Sequence, residues 1–271
     1  MTTTTPTTPT TSTSPVAIPF PSTDVPHLRI SAGGCRLRIT PGDAEPWVAG
    51  TYDDRTGRMP LHIQQDADGV RLGVGTEVAE FFGLFGGIPV LDIRLGTAHP
   101  FALSIDVGAS EDVFDFGGVP LKRLAVSNGA GKVTVAFSQS NPVQMELLKL
   151  SVGAGAVEAH GLANAGAGDM LVEGGAAGVQ LDFDGMFARE CRVRISTALA
   201  GVDVCIPSSV AAEVSASSIL GGADVDAGFM RRGEAYCTRP VADGASPVLF
   251  IYNTTAFGGI RLRTAAALAA V

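Results

Sequence analysis

The chain has 271 residues, is 46% hydrophobic and only 6% aromatic, and carries a formal net charge of −8. An acidic surface of this kind repels phosphate backbones and anionic lipid headgroups, and no basic stripe offsets it, which argues against nucleic-acid binding. Thirty-four glycines beside so few aromatic residues favour short strands and tight turns over a thick sandwich core.

Residues 1–26 are rich in Thr, Pro and Ser and nearly uncharged. Such a segment cannot bury enough apolar surface to offset chain entropy, so a disordered tail is expected there. The opening residues show no basic n-region followed by an apolar h-region, and no apolar run is long enough to span a bilayer. The expected location is the cytoplasm. The four cysteines, Cys35, Cys191, Cys205 and Cys237, have no Cys-x-x-Cys spacing. They read as buried apolar residues of a reducing compartment, with Cys191 and Cys205 as possible neighbours on adjacent coils.

From His27 the period is two: Leu28, Ile30, Leu37 and Ile39 alternate with Arg29, Arg36 and Arg38 around an Ala32-Gly33-Gly34 turn. Residues 27–144 are expected to form amino-terminal β coils, interrupted by an apolar insertion near 77–89. That insertion carries Phe81, Phe82, Leu84 and Phe85. It reads as a cover for exposed core or as a contact patch for a partner.

Beyond Pro100 strand segments follow one another with links of two to six small residues, too short for crossover helices. A weak repeat runs through them. Leu103-Ser104-Ile105-Asp106-Val107-Gly108-Ala109 is echoed by Leu124-Ala125-Val126-Ser127-Asn128-Gly129-Ala130 and again by Leu148-Lys149-Leu150-Ser151-Val152-Gly153-Ala154. A period of roughly 20–25 residues built from strands and glycine turns marks a solenoid, in which each coil buries its face on the next. The expected fold is therefore all-β: a single elongated β-solenoid, a β-helix-like stack of short strands. Pro207 marks a strand end, and the last strands, near 247–252 and 258–263, should close the stack. Residues 264–271 are expected to be a carboxy-terminal tail.

The order of motifs in the second half resembles that of the toast-rack domains. Leu150-Ser151-Val152-Gly153-Ala154-Gly155 comes first, then Leu171-Val172-Glu173-Gly174 and Val179-Gln180-Leu181-Asp182-Phe183-Asp184-Gly185. Gly201-Val202-Asp203-Val204-Cys205-Ile206-Pro207 and a closing pair at Leu249-Phe250-Ile251 and Gly258-Gly259-Ile260-Arg261-Leu262 complete it. Toast-rack domains are glycine-rich β-solenoids of LiaF-like cell-envelope-stress proteins and of adhesin-like bacterial proteins. The resemblance covers residues 145–263, with the earlier coils as an extension of the same rod. It implies no catalytic motif.

A search for chemistry finds two carboxylate pairs, Asp182 with Asp184 and Asp224 with Asp226, each two apart and so on one face of a strand. They read as solubilising groups, or as the acid and base of a polysaccharide-cleaving β-helix if they shared a groove with a cation. His27, His62, His99 and His160 lack metal-ligand spacing. Neither a nucleophile elbow nor a phosphate loop is present. The pairs Gly174-Gly175 and Gly221-Gly222 read as corners needing positive φ, and the basic pairs Lys122-Arg123 and Arg231-Arg232 as solvated turns. The residues thus describe a non-catalytic β-solenoid binding or assembly module, with no cofactor, no metal, and a protein partner or a second copy as its target. A polymer-forming scaffold of the bactofilin kind is the alternative.

Overall fold

The computed structural model describes residues 13–55, 59–75 and 88–265. Eighteen strands form one continuous elongated sheet: β1 (Thr13–Ile18), β2 (His27–Ala32), β3 (Arg36–Pro41), β4 (Val48–Asp53), β5 (Leu61–Asp66), β6 (Gly69–Val74), β7 (Val90–Leu95), β8 (Phe101–Asp115), β9 (Leu121–Ala136), β10 (Met145–His160), β11 (Ala167–Asp182), β12 (Cys191–Pro207), β13 (Ala212–Leu220), β14 (Ala223–Val225), β15 (Phe229–Arg232), β16 (Ala235–Thr238), β17 (Leu249–Phe257) and β18 (Ile260–Ala265). A four-residue α-helix, Arg239–Ala242, follows β16, and a four-residue 3-10 helix, Leu162–Ala165, links β10 to β11. This is the stacked all-β architecture that the repeat predicts.

The coil is a long strand bent at its middle. β9 joins two runs of alternation, 121–126 and 132–136, in one strand, and the same fusion makes β10, β11 and β12. Burial shows the bend. In β10 the inward residues are Leu148, Leu150 and Val152, then Val157 and Ala159; in β12 they are Cys191, Val193 and Ile195, then Val202, Val204 and Ile206. Inward parity switches between odd and even at the midpoint, because a strand that turns a corner must reset its alternation to keep facing one core. The first halves form one wall and the second halves another, and a single apolar cluster lies between them.

Neighbouring coils are parallel, and the repeat is stacked in register: Leu103 faces Leu124, which faces Leu148, and Ala109, Ala130 and Ala154 follow suit. Glycine holds the corner because the backbones meet there. A Cβ on Gly153 would lie 2.5 Å from the Gly129 carbonyl oxygen, and one on Gly175 2.4 Å from that of Gly153. Close approach, rather than positive φ, accounts for Gly175; Gly221 does have positive φ, at +151°.

The ends are built differently. At the amino-terminal end β2 and β3 make a coil, with β6 and β7 beneath them. Antiparallel strands finish the walls, β5 on β6 and β4 on β7, with β1 on β4. Part of the tail expected at 1–26 is therefore ordered. Val16 and Ile18 are buried, and Phe20 stacks on Trp47 with ring centroids 5.7 Å apart. The apolar alternation of Val16, Ile18 and Phe20 sits inside a Thr/Pro-rich stretch whose composition masks it. At the other end β17 and β18 stack on β12, β13 on β17, and β14 on β18. β16 and β15 then add antiparallel to β13. The division expected at 144/145 falls between β9 and β10, which pair along their whole length.

Candidate functional site

Phe81, Phe82, Leu84 and Phe85 lie outside the described residues. The remaining candidates are spread along the rod. Asp182 ends β11 on the second wall, where its carboxylate lies 2.7 Å from His160 Nδ1 on β10. Asp224 and Asp226 lie three coils further on: Asp224 accepts from Arg261 Nε at 2.9 Å, and Asp226 accepts from the backbone N–H groups of Gly228 and Thr264. Burial pushes Asp226 up, but those two N–H groups, the Thr264 hydroxyl and Arg263 together hold it below the usual carboxylate range. Arg263 acts on both Asp182 and Asp226, but β11 and β14 stand three strand intervals apart, about 14 Å, beyond the roughly 5–10 Å that separates the acid and base of a polysaccharide-cleaving site.

The same pattern covers both walls. Lys149 pairs with Glu173 at 2.8 Å, Lys132 with Glu158 at 2.8 Å, Arg123 with Glu146 at 2.6 Å and Arg263 with Asp203 at 2.8 Å. These pairs join neighbouring or nearby strands and are largely solvated, so each contributes at most about 1 kcal/mol. Their effect is to leave the flat walls polar, with many of their charges paired across strands. The depressions on the first wall are shallow troughs lined by these partners, among them Arg123, Glu146, Asp169 and Arg194.

Other titratable groups are structural. His27 bonds the Ser104 hydroxyl at 2.8 Å, and burial, then Arg29, lowers its pKa. His99 lies edge-on to Phe20, and His62 is on the exposed edge strand β5. The four cysteines are free thiols. Burial pushes Cys35 and Cys191 up to about 12, far from a reactive thiolate. Cys191 and Cys205 occupy opposite ends of one strand, β12, rather than adjacent coils. Asp112 is buried; its carboxylate accepts from Leu37 N at 2.7 Å and Ser110 Oγ at 2.5 Å, which ties β8 to β3. Among the described residues no group of three or more His, Cys, Asp or Glu is placed to hold a metal ion, and no helix is long and apolar enough to cross a membrane.

What sequence reasoning missed lies at the carboxy-terminal corner. The outward residue after the corner is alanine in four successive coils, at Ala109, Ala130, Ala154 and Ala176. In the last three it is Leu199, Phe257 and Leu220, standing opposite one another on β12, β17 and β13. They are 58%, 49% and 62% exposed, and Ile219 beside them is 78% exposed. Here too the sheet is open. β16 meets β13 only at Glu213, Val214 and Ser215, so residues 216–220 of β13 have β17 on one side and no described strand on the other. The large residues at 199, 220 and 257 become a row only once register is known.

A family model for the N-terminal domain of toast_rack, DUF2154, matches residues 9–160. The resemblance drawn from motif order lay at 145–263, so the matched span sits earlier along the rod. Coils that repeat one another carry the same short motifs in either half, and motif order alone does not fix which half is which. No curated protein matches the chain. Among solved structures, a "putative cell adhesion protein" from Clostridium sporogenes ATCC 15579 has 14% identity, a TM-score of 0.47, and coverage of 94% of this chain and 100% of its own. A "putative adhesin" from Bacteroides fragilis NCTC 9343 has 8% identity, a TM-score of 0.37, and coverage of 94% and 98%. A "putative lipid binding protein" from Parabacteroides distasonis ATCC 8503 has 10% identity, a TM-score of 0.39, and coverage of 92% and 96%.

Proposed function

Because the chain belongs to the toast_rack family, whose N-terminal domain spans residues 9–160, we propose that it is a non-catalytic module that binds a protein partner through the end of its rod. The observation that carries this reading is the outer edge of β13 at residues 216–220, which no described strand covers, next to the exposed Leu199, Phe257 and Leu220. A strand edge supplies unpaired N–H and C=O groups in an extended row, and an added strand satisfies them while apolar contacts beside it select the partner. The walls are poor alternatives, since many of their charges are already paired with neighbouring strands and they carry no comparable apolar row. The three strand intervals between Asp182 and the Asp224/Asp226 pair support a role without catalysis.

A photo-crosslinking residue placed at Ile219, in the cells that make the protein, should yield a discrete protein adduct. The same residue at Arg194, on the first wall, should not. Equal adducts from both positions, or none from either, contradict the reading.

A further inference from the structure

We propose that the apolar corner row Leu199–Phe257–Leu220 is the seat for residues 76–87 of a second copy of this chain, so that rods join head to tail. The proposal rests on the end-binding reading above and names its occupant.

Two observations carry it. First, residues 76–87 include Phe81, Phe82, Leu84 and Phe85, a density of large apolar side chains matched nowhere else outside the described residues. Second, the described chain fixes where that segment starts and ends. Val74 of β6 faces Ala32, and Val90 of β7 faces Arg36, so the described ends on either side of the segment stand at the same corner that Gly108, Gly129 and Gly153 turn in later coils. The flanking ends of β6 and β7 and the row therefore lie on one long edge of the rod, at opposite ends.

Reach decides whether one molecule can satisfy both. Six strand intervals separate the β6–β7 coil from β12, by way of β2–β3, β8, β9, β10 and β11. At 4.7–4.9 Å per interval Leu199 lies about 29 Å away and Leu220 about 38 Å. Twelve residues anchored at both ends extend at most about 20 Å from their base. The segment cannot cover its own row, but a copy displaced along the rod axis presents it there. Neither half of this contact is the same patch as the other, so the contact repeats without closing and the expected product is a chain of rods. The carboxy-terminal residues 266–271 are the other apolar stretch, but β18 carries them away from the corner for six residues before they begin.

The test uses the full-length protein and two triple variants, Leu199→Ser/Leu220→Ser/Phe257→Ser and Phe81→Ser/Phe82→Ser/Phe85→Ser. Circular dichroism first establishes that both fold; the three row residues are exposed, so folding should survive their loss. Sedimentation velocity should show concentration-dependent assembly of the wild type, weakened about tenfold or more in each variant alone. An equimolar mixture of the two variants retains one intact contact and should stop at a heterodimer. Three results overturn the proposal: a wild type that stays monomeric, including one that instead binds phosphatidylcholine vesicles; assembly of the Phe81/Phe82/Phe85 variant as strong as the wild type's; or a mixture that gives no heterodimer. If the mixture fails while Ile219 still crosslinks to another protein, end binding stands and only this occupant is wrong. If both fail, the end-binding reading falls with it.

Discussion

At the scale of single residues, the corner column sets the sharpest constraint. A methyl group on Gly153 has no room, because the carbonyl it meets is backbone of the coil beneath and cannot rotate away. Gly153→Ala should therefore cost about 2–4 kcal/mol in chemical denaturation. Gly201→Ala is the matched control: nothing lies within 4 Å of its added Cβ, and the change should be nearly neutral. Asn128 makes the opposite case. It is buried between Val107 and Val152 in the stack, and both ends of its side-chain amide are without a partner. A valine there continues the row and leaves no polar group to desolvate. Asn128→Val should raise the unfolding free energy by about 1–2 kcal/mol, read from the denaturation midpoint.

Among the elements, the amino-terminal cap shows what composition conceals. β1 has only six residues, yet Val16 and Ile18 are buried against the core, and Phe20 then reaches Trp47 and Phe101. Trp47 is the one tryptophan in the chain and is fully buried, so it reports on this packing directly. Phe20→Ala should shift its emission to the red and lower stability by about 1–3 kcal/mol. An unchanged spectrum would mean that Phe20 does not pack on Trp47. The central coils were easier to read. Leu103, Leu124 and Leu148 begin copies of one pattern, and their alternation with polar residues gives both the strand and its buried face. The bend was harder. Its signal is the parity reset between Val152 and Val157, and reading the two halves as separate strands hides it. β4 and β5 were missed because Gly50 breaks the alternation in one and His62, Gln64 and Gln65 leave almost no apolar face in the other.

For the whole molecule, parallel in-register stacking makes each wall a ruler. It also explains why the candidate site was not legible in the sequence. Leu199, Leu220 and Phe257 are scattered over nearly sixty residues, and only the pairing of β12 with β17 and of β17 with β13 aligns them. Register is a tertiary property, fixed by which apolar faces meet. The carboxylates failed as an enzyme site for the same reason, since the coils carry Asp182 and Asp224 to different rungs. Polar, ion-paired walls and unlike ends then leave the ends as the places where the rod differs from its own middle.

The stacking itself is open to direct measurement. Gln64, Ser104, Lys149 and Arg194 occupy one row, separated by the intervening residues Arg71, Arg29, Ala125 and Leu171. Spin labels on Gln64 and on each of the other three in turn should give Cα separations near 14, 24 and 33 Å, growing by one strand spacing per coil. Double electron–electron resonance on the longer two pairs, with continuous-wave broadening for the shortest, would read them. A linear increase is predicted; separations that level off or reverse along the series would contradict coil-on-coil winding.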